Sequence, residues 1–146
     1  MPKIVAEDDV IIRASQVILD PQTDPERYAA IAKYYSVDVL DFDGWVDGIR
    51  AAMRDLFPAT FEMVGDIESF HAALPDADAV IIESLPLRSC ELDLAANLKI
   101  VQKFGVDTRN IDLKACAERN VAVRTLRRRV NIAVAEQAIT LMIGLA

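Results

Sequence analysis

Leu98-Lys99-Ile100-Val101-Gln102-Lys103-Phe104-Gly105-Val106-Asp107-Thr108-Arg109-Asn110-Ile111-Asp112-Leu113 decides how the chain is read. Its opening, Leu98 to Val101, is too short and too apolar on both faces for a half-exposed antiparallel strand, and reads as a buried parallel one. Lys103 to Asn110 forms a loop around a single glycine. Ile111 to Arg119 is then a short helix that Asn120 can stop. Strand, loop and helix in this order are the repeating unit of a parallel sheet covered by helices, so the fold class is α/β.

The same pattern extends outward. Val37 to Leu40, Ala79 to Ile82 and Val121 to Val123 are further buried strands, and both faces of their sheet are expected to be covered. Near the start, Lys3 to Ala6, Val10 to Ile12 and Gln16 to Leu19 compete to be the first central strand. Gln16 to Leu19 is favoured because Asp24-Pro25-Glu26 follows it as an N-cap, a first-turn Pro and an early acid, leading into Tyr28, Ile31 and Tyr35 at helical spacing. Asp43 to Leu56 predicts an amphipathic helix with Trp45, Ile49 and Met53 inward and Pro58 ending it. Asp66 caps a helix over Ile67 to Leu74, with Ile67, Phe70 and Leu74 inward. Val130 to Ala146 is apolar on nearly every side and is expected to be buried; with no polar cap, charged tail or Pro after it, the helix is expected to continue into a part of the protein not in this chain.

Composition supports a globular protein. Of 146 residues 53% are hydrophobic and 27% charged, the net charge is −7, and a chain of this size buries roughly 68–70% of its unfolded surface. Disorder is excluded. Cys90 and Cys116 form no C-x-x-C, which argues against a disulfide scaffold or zinc site and for a reducing cytoplasm. An apolar leader is absent, as is any uninterrupted apolar stretch of roughly 18 residues, so no membrane partner is expected. Residues 99–146 carry a net +5 and residues 1–98 a net −12. The acidic part discourages nucleic-acid binding, while a basic loop in the other could meet a small anion. His71, the lone histidine, lies on the Asp66-capped helix without a Ser, Cys or metal-ligand partner near it in sequence, and reads as a surface or core-edge residue.

In an open parallel sheet ligands bind beyond the carboxyl ends of the strands, where main-chain N–H groups point outward. That rule selects Gly105 to Arg109 and, after the preceding strand, Glu83 to Leu87.

The run from Leu98 to Leu113 resembles the strand, loop and helix start of D-isomer-specific 2-hydroxyacid dehydrogenases. "ACAERNVAV" at Ala115 to Val123, "NIAVAEQAITLMIGLA" at Asn131 to Ala146 and "DADAVIIES" at Asp76 to Ser84 extend the resemblance over residues 76–146. It implies a flavodoxin-like, doubly wound substrate-binding domain over residues 1–126, with 127–146 a loop and helix leading to a Rossmann nucleotide-binding domain. It implies hydride exchange between NAD or NADP and a 2-hydroxy or 2-keto acid in a cytoplasmic homodimer, the catalytic Arg, Glu and His lying in the next domain. Substrate-binding positions carried over are Ser84, Leu85, Gly105, Val106 and Asp107, with Val106 and Asn131 toward the cofactor. The five glycines contain no G-x-G-x-x-G, so this chain alone is expected to bind no cofactor and to have no turnover.

Departures from the family pattern put the substrate class in question. Asp107 stands where a second glycine is usual, Arg109 where an Asp is common, Glu83 where many members have Arg, and Thr125-Leu126-Arg127 where Asn-Thr-Pro is usual. Arg127, Arg128 and Arg129 are read as either a solvated face or guanidiniums that compensate for the Arg missing at 83 and bind an anion. Two alternatives are a stand-alone ligand-binding domain and a receiver-like regulatory domain, the latter suggested by the acids after Lys3 to Ala6. A receiver needs an acceptor Asp ending a strand near residue 55 and a Lys-Pro pair; Asp55 lies in "MRDLFP" and Lys103 precedes Phe104.

Overall fold

The computed structural model describes residues 1–128 and 130–144, without the side chains of Val130 and Asn131. Five parallel strands, β1 (Lys3–Glu7), β2 (Thr60–Val64), β3 (Ala79–Ile82), β4 (Ile100–Lys103) and β5 (Ala122–Thr125), lie in the order β2-β1-β3-β4-β5. This is the flavodoxin-like doubly wound order. Val5, Val80, Val101 and Val123 stand side by side across it.

Residues alternate between the two faces. Val5, Val80 and Val101 pack with Phe70 of α4 (Ile67–Ala73), Leu92 of α5 (Ser89–Leu94) and Cys116 of α6 (Leu113–Glu118). Ile4 and Ala6 face the other way, onto Ile12 and Leu19 of α1 (Ile12–Leu19). Behind α1, its Val17 joins Ile31 of α2 (Pro25–Tyr35) and Phe42 and Val46 of α3 (Phe42–Ala52) in a third cluster. Cover on the α1 side stops short of the far edge, where Ile100 of β4 and Arg124 of the edge strand β5 are exposed, so the expectation of two fully covered faces is corrected.

Several boundaries also differ from the sequence reading. Gln16 to Leu19 is helical and the first central strand is Lys3–Glu7; the Asp9 carboxylate accepts the N–H groups of Ile11 and Ile12 and starts α1 early. Val37 to Leu40 is the turn between α2 and α3, with Val39 packed inward and Leu40 98% exposed. The α3 helix begins at Phe42, turns Phe42 and Val46 inward and leaves Met53 exposed. Ile67 is also exposed, while Phe70 and Leu74 are buried as expected. β3 spans the residues expected for it, and β4 and β5 begin one or two residues later than expected.

The last helix, α7 (Val130–Gly144), follows β5 and spans the apolar segment expected to be helical. Residues 132–144 are all exposed, Ile143 at 72%, and the three core clusters take in no residue of α7 among those described.

Candidate functional site

β4 ends at Lys103, and the chain turns at Gly105 with φ +151°, a conformation that suits glycine and strains any residue with a Cβ. The Gly105 carbonyl accepts Leu126 N–H at 2.9 Å, which ties the turn to the end of β5. Beyond it, the main-chain N–H groups of Val106, Asp107 and Thr108 donate to no group among the described residues. They are free donors at the carboxyl edge of the sheet.

The neighbouring turn differs. Between β1 and β3, where the strand order reverses, the Glu7 carboxylate accepts the N–H groups of Glu83 and Ser84 at 2.8 Å and of Leu85 at 3.0 Å, and also the Ser84 hydroxyl. Partial burial pushes the Glu7 carboxyl up, but the N–H of Leu85, the hydroxyl and N–H of Ser84 and the N–H of Glu83 together outweigh it and hold the group below its ordinary value. An internal carboxylate thus occupies the donors of Ser84 and Leu85.

A polar cleft of about 340 Å³ opens between these two turns, lined by Glu83, Ser84, Arg88, Lys103, Asp107 and Arg109 together with Asn110. Asn110 fastens the turns together: its side-chain amide donates to the Leu85 carbonyl at 2.6 Å, its Oδ1 accepts from Lys103 Nζ at 3.0 Å, and its carbonyl accepts Leu87 N–H at 2.8 Å. Lys103 Nζ also donates to the Glu83 carbonyl. The cleft's two carboxylates are each bound to an arginine. Glu83 meets Arg128 at 3.0 Å, and the Arg128 guanidinium lies 4.9 Å over the Phe104 ring. Asp107 is clamped by Arg109, whose hydrogen bonds hold its carboxyl down to about 2.

The site residues expected from the sequence therefore gather at one edge, with different surroundings. Gly105, Val106 and Asp107 form the open turn. Ser84 and Leu85 face Glu7, and Arg128 faces Glu83. Arg127 is exposed and lines, with Val106, Ile132 and Ile139, a groove of about 750 Å³ beside α7. Arg129 and the side chain of Asn131 lie outside the described residues. Sequence reasoning misses Glu7, Lys103 and Asn110; their signals are a charged residue closing each of two apolar strands and an Asn shortly before a helix. Elsewhere, His71 Nε2 meets buried Glu91 at 3.0 Å at the core edge. The acids after β1 do not form a receiver's metal cradle, since Asp8 pairs with Arg13 at 2.7 Å and Asp9 caps α1.

A family model described as D-isomer specific 2-hydroxyacid dehydrogenase, catalytic domain, matches residues 47–139. The chain belongs to this family. No curated protein matches it. Among solved structures, D-lactate dehydrogenase from Escherichia coli superposes with a TM-score of 0.59 at 15% identity, over 98% of this chain and 36% of that one. NAD-dependent formate dehydrogenase from Staphylococcus aureus in complex with NAD gives 0.57 at 20% identity, over 96% and 37%. A glyoxylate reductase from Paecilomyes thermophila gives 0.57 at 18%, over 98% and 37%. These likenesses establish a shared fold, and this family member spans 36–37% of the length of the three structures.

Proposed function

We propose that this chain is the substrate-binding part of an NAD- or NADP-dependent oxidoreductase that interconverts a 2-hydroxy acid and its 2-keto partner. Membership of the family supports the reaction class, the names of two structural relatives, a D-lactate dehydrogenase and a glyoxylate reductase, agree with it, and that of an NAD-dependent formate dehydrogenase agrees with the cofactor. The observation that carries the reading is the row of free N–H groups after Gly105. A carboxylate bound to Val106 and Asp107 N–H would be fixed without loss of side-chain entropy, presenting its 2-carbon outward at the sheet edge. Ser84 and Leu85 form the wall that Glu7 holds in place, Arg128 neutralises Glu83, and Arg127 faces the groove beside α7.

The dinucleotide's pyrophosphate does not fit this chain. The turn from β1 to α1 carries Asp8 and Asp9 in place of a glycine-rich cradle, and both repel phosphate. We therefore assign the cofactor to a further part of the parent protein, beyond residues 127–146, and carry over Val106 and Asn131 as the positions of this chain that would meet it. A cytoplasmic homodimer completes the reading; no described helix is long and apolar enough to cross a membrane.

The test is an amide-resolved NMR titration of the purified chain with pyruvate. Saturable shifts at Val106, Asp107 and Thr108 are expected, together with no oxidation of NADH or NADPH by the chain alone. Shifts that avoid this turn, or turnover by the chain alone, would overturn the reading.

A further inference from the structure

Lys103 is only 5% exposed, yet the described residues offer its ammonium no carboxylate partner. It donates to two neutral oxygens, the Glu83 carbonyl and Asn110 Oδ1, which leaves its third N–H without an acceptor among them. The surrounding carboxylates are all committed: Glu7 to the 83–85 turn, Glu83 to Arg128 and Asp107 to Arg109. Asp107 feels the field of Lys103 but is held by the guanidinium. A buried ammonium without a counter-ion is costly, and a fixed positive charge that lines an open cleft recruits an anion. Its stem passes under the Gly105 turn, with Cε 3.9 Å from where a Cβ on Gly105 would stand, so charge and free amides border the same space.

We propose that Lys103 binds the substrate carboxylate directly, its ammonium supplying the charge and the Val106 and Asp107 amides the direction. This rests on the proposed 2-keto acid function but names a residue and a requirement of its own: the ligand must be an anion, and the site must lose it when the ammonium is removed.

The experiment monitors the lysine Nζ signals and the amides of residues 105–110 in the whole chain, with pyruvate, uncharged methyl pyruvate and inorganic sulfate as probes. Pyruvate is expected to shift the Lys103 ammonium and the turn amides together, and methyl pyruvate neither. Lys103→Met should weaken pyruvate by about tenfold or more, and Lys103→Arg by less. Pyruvate binding at the turn with an unmoved Lys103 signal, or unweakened in Lys103→Met, would refute the role of Lys103 and leave the proposed function standing. Failure of pyruvate with a Lys103-dependent response to sulfate would keep the anion site and refute the 2-keto acid. Silence to both anions would refute the anion site. The wild-type Nζ signal decides the matter even where Lys103→Met fails to fold.

Discussion

Glu7 and the Glu83–Leu85 turn touch across 76 to 78 positions of sequence, and that distance explains why the turn is legible in the sequence but its contact with Glu7 is not. Gly105 announces itself locally, as a lone glycine in a polar loop after an apolar run. A carboxylate at the end of β1 acquires its role only when β3 lies beside it, and Lys103 only when Asn110 and Glu83 close round it. The Glu7 contact has a pH signature. Its carboxyl lies below its ordinary 4.5 in the folded chain, so its contribution to stability is complete above that value and disappears as pH falls through the lower folded value. Glu7→Gln keeps an acceptor but loses the charge, and after allowance for its solvent contact should cost about 1 kcal/mol near neutral pH. Urea unfolding of both proteins should show that gap narrowing below about pH 4 as the carboxylate takes up its proton. A gap that persists unchanged at pH 3 would remove the carboxylate from the account.

At the scale of elements, short apolar runs are ambiguous where tertiary contacts decide between helix and strand. Val17, Ile18 and Leu19 suit a strand by composition, yet the Asp9 cap and the burial of Ile12, Val17 and Leu19 make them the last turns of α1. β2 escapes a sequence reading because it is an edge strand: Thr60-Phe61-Glu62-Met63-Val64 carries polar residues on its exposed positions and shows no continuous apolar run. What joins these two elements is Asp20, whose carboxylate accepts Phe61 N–H at 3.1 Å and Gln22 N–H at 2.8 Å, while Ala59 N–H reaches the Leu19 carbonyl at 2.9 Å. Asp20→Ala would leave the buried Phe61 N–H without a partner and should cost about 2 kcal/mol in urea unfolding. Asp20→Asn keeps an oxygen there and should cost less than half as much. Equal losses would mean that charge, and not the acceptor, joins α1 to β2.

For the whole molecule, the α/β class is legible because strands and helices alternate along the chain, whereas the fate of α7 is not, because hydrophobicity states a need for cover without naming the cover. The three core clusters hold nothing beyond Val123, and the described side chains of α7 are exposed. We therefore propose that residues 1–126 fold as the domain and that 127–146 connect it to a further domain of the parent protein. Removing 127–146 takes away the Arg128 pair with Glu83 and its stacking on Phe104, partly exposed contacts together contributing at most about 1 kcal/mol. The shortened chain should keep its cooperative urea transition with an unfolding free energy within that margin, while losing most of the dye-accessible apolar surface that ANS fluorescence reports. A drop of several kcal/mol would instead show that α7 folds back on the sheet in solution. It would also move the domain boundary past residue 126, because the groove beside Val106 would then be part of the domain's own core and no longer open to a neighbouring part of the protein.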